Sequence, residues 1–74
     1  PQGALIGGLE DNGPAARAGA QVGDVVVKIN DVSIKDYNML ADIVGKAPVG
    51  NTLKTTVWRE GKALNLFITV GERP

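Results

Sequence analysis

Apolar and polar residues alternate over the last third of the chain, which predicts two strands joined by a tight turn. Leu53, Thr55 and Val57 fall on one face of the first, with Lys54, Thr56 and Trp58 on the other. Leu64, Leu66, Ile68 and Val70 share one face of the second, opposite Ala63, Asn65, Phe67 and Thr69. A period of two marks a strand with one buried face. Glu60-Gly61 between them is a two-residue hairpin turn, with Gly supplying positive φ. Trp58 and Phe67, on the less apolar faces, are expected to pair across the strands. Trp58 reads either as a partly buried residue or as a surface anchor for a partner.

The period changes between Asp36 and Lys46. Tyr37, Leu40, Ala41 and Val44 follow the i, i+3, i+4, i+7 spacing of one helical stripe, and Met39 and Ile43 form a second apolar row beside it. Asp36 suits the N-cap, and Gly45 and Pro48 are read as ending the helix. Two apolar rows are more than a helix needs to sit on one small sheet. Either both rows are core, or one faces a groove.

The first half is punctuated by glycine and proline. Ala4 to Leu9 reads as a strand, in which Gly7-Gly8 marks a bulge or a close backbone approach. No Gly-Lys-Ser/Thr follows, so the pair is not a phosphate loop. Pro14 suits the first position of a short helix over Ala15 to Ala18, with Gly13 before it and Gly19 as its left-handed C′ residue. Gly23-Asp24 is a turn. Val25-Val26-Val27 is a β-branched run, opening a strand over about Asp24 to Ile29 that fits a position covered on both faces. Asn30-Asp31 turns the chain into a brief strand, Val32-Ser33-Ile34. The order of elements predicts a small α+β domain, a partly open barrel or sandwich with one short and one longer helix.

Composition narrows the chemistry. Seventy-four residues, with eight basic and eight acidic side chains and a formal net charge of zero, make one domain without the basic bias of a nucleic-acid surface. Phe67, Tyr37 and Trp58 are too scattered for a base-stacking platform. The chain has no His and no Cys, so neither a Ser-His-Asp triad nor a thiolate nucleophile can be assembled. Soft zinc ligands are lacking too. The sole Ser, Ser33, reads as a strand hydroxyl near a turn. No catalysis, cofactor or metal is expected of these residues, nor is membrane insertion, since no apolar run approaches about 20 residues. The absence of Cys leaves the redox compartment open. The start at Pro1-Gln2-Gly3, without Met, gives the expectation of a domain excised from a longer chain.

Several blocks carry a family resemblance. Gly3-Ala4-Leu5-Ile6, Gly13-Pro14-Ala15-Ala16-Arg17-Ala18-Gly19, Val22-Gly23-Asp24 through Asn30, and Pro48-Val49-Gly50 leading to Val57-Trp58-Arg59-Glu60-Gly61-Lys62 resemble a bacterial PDZ domain in its circularly permuted form. The likeness covers residues 1–74 and is greatest to PDZ domains of HtrA/Deg-type periplasmic serine proteases. It implies capture of an extended peptide, usually a C-terminus, as an added strand beside the long helix. Leu40, Ile43 and Val44, with Met39 next, are then the expected pocket residues. The implied partners are C-terminal or extended peptides of unfolded or substrate proteins and the chain's own protease domain; the implied location is the periplasm.

The pattern also departs from its family. Permuted PDZ domains have two strands before the Pro-Ala-Ala helix, the first carrying the carboxylate-binding loop; here Ala4 to Leu9 aligns with the second. No carboxylate-binding residue carries over, and the ligand-pairing strand is expected to lie upstream of Pro1. The groove would then have an open wall that a neighbouring chain or a rearranged terminus fills, giving self-association. Two other readings stay open: a structural or oligomerisation PDZ that binds no free peptide, and the substrate-gating PDZ of a tail-specific or site-2 protease.

Overall fold

The hairpin demanded by the alternation is present as β4 (Thr52–Arg59) and β5 (Lys62–Thr69), paired from Thr52 opposite Thr69 to Arg59 opposite Lys62. At its turn both Glu60 and Gly61 take positive φ, 51° and 80°, the twist that suits a two-residue hairpin. The inward row Leu53, Thr55 and Val57 is buried, and the Thr55 hydroxyl donates to the Leu53 carbonyl at 3.2 Å. The computed structural model describes residues 2–71, so the polar exit expected at Glu72-Arg73-Pro74 lies outside the described residues.

The remaining elements are β1 (Ala4–Leu5), α1 (Pro14–Arg17), β2 (Val25–Ile29), β3 (Val32–Ser33) and α2 (Tyr37–Lys46). One open antiparallel sheet runs β1-β2-β4-β5, with β3 beside β2. The α+β class therefore holds, with α1 against β5 and α2 beside β1. Ala4, Val26, Ile29, Ile34, Leu53 and Val57 form the buried core. Met39, Leu40, Ile43 and Val44 of α2 pack onto it.

Local expectations are met unevenly. Gly19 closes α1 at φ 99°, its N–H donating to Ala16 O while Ala20 N–H reaches Ala15 O, a Schellman closure. Asp36 caps α2, accepting from Met39 N–H at 2.9 Å. Gly45 lies inside α2 rather than ending it, and the chain leaves the helix at extended Ala47, as the following Pro48 requires.

Three corrections follow from the sheet. β1 stops at Leu5 instead of running to Leu9, because its partner gives out: Ile6 still bonds Asp24 O and Gly23 N–H, but the chain turns at Gly23. The irregularity expected at Gly7-Gly8 lies instead in β2, whose register against β4 shifts between Val26 and Lys28. The carbonyl of Val27, in that shift, accepts from Ile34 N–H. Trp58 lies opposite Ala63 and Phe67 opposite Lys54, so the two aromatics share a face without pairing; both are exposed, at 39% and 62%.

One ion pair braces the frame. Asp24, only 1% exposed, accepts from Arg59 Nε and Nη2 at 2.7 Å each and from Gln21 N–H at 2.9 Å. Arg59 Nη2 also donates to the Gly19 carbonyl at 2.9 Å, fastening the end of α1. The Arg59 hydrogen bonds hold the Asp24 carboxyl below its ordinary range against the opposing effect of burial, helped by Gln21 and the Arg59 charge. A carboxyl whose folded pKa is depressed contributes stability in full above its unfolded value of about 3.9 and loses it as pH falls through the folded value. The thermal midpoint should therefore hold down to about pH 4 and then fall. In Asp24→Asn the midpoint at neutral pH should be lower and the acid slope shallower. An acid slope unchanged in Asp24→Asn would assign acid sensitivity to other carboxylates.

Candidate functional site

The helix that the sequence marks as too apolar has two differently employed faces. Tyr37, Leu40, Ala41 and Val44, the four-residue stripe, line a groove of about 650 Å³. Met39 and Ile43 belong to the other row, packed against the core, and are not among the groove-lining residues. Of the four sequence-predicted residues, Leu40 and Val44 therefore come together at the groove, and Met39 and Ile43 support the helix behind it. Tyr37 and Ala41, on the stripe but not singled out from sequence, complete the helical wall. Tyr37 is 65% exposed.

Leu5 to Glu10 form the facing wall, and Val26, Ile29, Leu53, Ile68 and Val70 are among the residues lining the groove between the walls. Ala4 is opposite Val26 and Ile6 bonds to Asp24, so the main-chain groups alternate here and those of Leu5 are directed away from β2. Among the described residues no main-chain hydrogen bond is made at Gly7, Gly8 or Leu9. An apolar groove thus runs beside an unpaired chain edge, the arrangement that accepts a further strand.

The glycines of this wall have no packing duty. A Cβ on Gly3 would collide with the Val26 carbonyl, and one on Gly13 would crowd Glu10. A Cβ on Gly7 or Gly8 would meet nothing within 4 Å. That signal is visible in the sequence only as a pair of glycines with two readings, and the fold removes both. A second hollow, about 360 Å³ and lined by Pro14, Arg17, Ala18, Phe67, Thr69 and Gly71, lies between α1 and β5. Among the described residues no group of three or more His, Cys, Asp or Glu side chains is placed to hold a metal ion, and no helix is long and apolar enough to cross a membrane.

A five-stranded antiparallel sheet with a short helix, a longer helix and a strand–helix groove defines a small α+β domain of known class. The chain belongs to the PDZ domain family, whose model matches residues 5–59. It is 39% identical over 74 residues to a DegP-like periplasmic serine endoprotease of Halomonas elongata, covering 100% of this chain and 16% of that protein. A DegP-like counterpart from Pseudomonas putida is 42% identical over 74 residues, again 100% of this chain and 16% of the relative. The chain thus spans about one sixth of these curated relatives, 16% in each. Among solved structures, the HtrA-type protease AlgW with a decapeptide superposes with a TM-score of 0.88 at 33% identity, over 95% of this chain and 22% of that one. The HtrA3 PDZ domain bound to the phage-derived ligand FGRWV gives 0.78 at 28% identity, over 88% of this chain and 60% of that one.

The two rows of α2 should separate by mutation. Ile43→Ala removes half-buried contact with the core and should lower the thermal midpoint, at a cost below the roughly 2–5 kcal/mol of a fully buried site. Tyr37→Ala, at an exposed position, should stay within about 0.5 kcal/mol of the parent. Equal losses would mean that the groove-facing row carries as much of the fold as the other.

Proposed function

We propose that this PDZ domain holds an extended peptide as an added strand beside α2, and that it recruits substrate C-termini to, or regulates, an HtrA/DegP-like serine protease of the bacterial periplasm. The observation that carries this reading is the apolar groove beside α2, flanked by a main-chain edge unpaired among the described residues. The strand expected upstream of Pro1 fills that edge and offers its own main chain to a peptide of any sequence, and the apolar lining reads alternate side chains of the peptide. Leu40 and Val44 contact the peptide; Met39 and Ile43 act from behind by holding the helix. AlgW was solved with a decapeptide and the HtrA3 domain with FGRWV, a ligand ending in valine, which supports an apolar terminal residue here too. The DegP-like relatives extend far beyond the matched region, which supports a second partner in the protease domain of the same chain. With no His and no Cys, these residues supply recognition and leave bond cleavage to that domain.

Self-association is the competing reading, favoured by the exposure of Leu5 and Tyr37 at the two walls, 63% and 65%. Isotopically labelled protein extended upstream of Pro1, titrated with peptides ending in apolar residues, distinguishes the two. Amide shifts are expected along Leu40, Ala41 and Val44. Ala41→Trp should fill the groove and weaken binding about tenfold or more, equivalent to about 1.4 kcal/mol, with little change in melting. Absence of shifts along α2, or a mass that rises with concentration without peptide affinity, would replace the peptide-binding reading with the self-association one.

A further inference from the structure

Asn12 and Asn30 both take positive φ, 61° and 52°, and the fold treats them differently. Asn30 is held: its side-chain oxygen accepts from Lys54 N–H at 3.1 Å, and its own N–H donates to the Lys54 carbonyl at 2.7 Å. Asn12 is exposed and is followed by Gly13. Asn30, Asn38, Asn51 and Asn65 precede Asp31, Met39, Thr52 and Leu66, whose side chains obstruct the main-chain nitrogen between the pair. At Gly13 no side chain does. The turn itself calls for glycine there. Gly13 N–H donates to the Glu10 carbonyl at 3.0 Å, and a Cβ on Gly13 would lie 3.1 Å from that oxygen and 3.3 Å from the Glu10 Cβ. The residue that makes room for the turn therefore also leaves the Asn12 side-chain amide open to attack.

We infer that Asn12-Gly13 is a site of spontaneous deamidation, gated by the turn between Glu10 and Gly13. The Gly13 nitrogen, on losing its proton, attacks the Asn12 side-chain carbonyl carbon. A C–N bond forms, the bond to the side-chain nitrogen breaks, and ammonia leaves with the proton. Solvent water then opens the cyclic imide at either carbonyl, giving aspartate or, where the main chain is rerouted through the side chain, isoaspartate. In the closed turn the Gly13 N–H is engaged by the Glu10 carbonyl, which opposes loss of that proton, so reaction waits for the turn to open. The net worth of one such hydrogen bond sets the protection at about two- to tenfold. The two products differ in consequence. Aspartate adds a charge next to Glu10 and Asp11, tolerates positive φ as asparagine does, and leaves the main chain intact. Isoaspartate inserts a methylene into the main chain just before Gly13, the N-cap of α1, whose carbonyl accepts from Arg17 N–H at 2.9 Å. That insertion loosens the helix start.

The test incubates the upstream-extended protein in mildly alkaline buffer, folded and in denaturant, and follows the tryptic peptide ending at Arg17 by mass spectrometry. Expected is the mass gain of an amide converted to an acid, arising in this peptide before any other that contains asparagine. It should be about two- to tenfold slower in the folded protein than in denaturant. Asn12→Asp should melt with the parent, whereas the isoaspartyl fraction, isolated by ion exchange, should melt below both. A gain that appears first at another asparagine overturns the inference. So do equal rates in the two states, or no conversion of the folded protein by the time conversion in denaturant is complete. An isoaspartyl fraction that melts with Asn12→Asp overturns the consequence assigned to α1. None of these outcomes depends on whether the groove holds a peptide.

Discussion

Asp24 holds the structure together from both of its ends. Its side chain receives the planar fork of Arg59 from the end of β4, and through Arg59 the carbonyl that closes α1. Its main-chain carbonyl receives Ile6 N–H, the last fastened point of the groove wall before the chain runs free. A buried carboxylate with one partner removed is an uncompensated charge, so the geometry tolerates little change. Lysine in place of Arg59 would keep the charge and lose the two-point fork that also reaches Gly19. The net worth of such a pair against an apolar replacement is small; what it provides is a common reference for a helix end, two strands and a loop.

From that reference the groove follows. Among the described residues, those that end the β1–β2 ladder leave the main chain of Gly7 to Leu9 unpaired, and α2 lies beside β1. The helix can do this because its apolar surface is divided, Met39 and Ile43 to the core and Tyr37 and Ala41 to the groove, with Leu40 and Val44 touching both. A single apolar row would anchor the helix or line the groove, but two do both.

The sequence makes local structure and family legible and leaves long-range placement obscure. Periodicity locates the β4–β5 hairpin and α2 closely, since their signals span several turns or pleats, and the Pro14 to Gly19 block specifies its own caps. The length of β1 depends on where its partner stops, and the β2 bulge depends on two strands at once, so neither appears in one segment read alone. The Asp24–Arg59 pair joins residues 35 apart in the chain; Asp24 reads from sequence only as half of a turn. In the same way the two rows of α2 are visible from spacing, but which one faces the groove is decided by the sheet. The facing wall was missed because Gly7-Gly8 suggested a backbone constraint, and the fold shows none.

The absence of packing duty at Gly7 and Gly8 has a consequence for how such a domain changes over generations. Most of the residues that fold the chain sit in the sheet interior and at the Asp24 brace, whereas the wall from Gly7 to Glu10 is largely solvent-facing and outside the buried core. Substitutions there alter the surface offered to a neighbour at little thermodynamic risk to the scaffold. Drift along this wall is thereby insulated from failure of the scaffold.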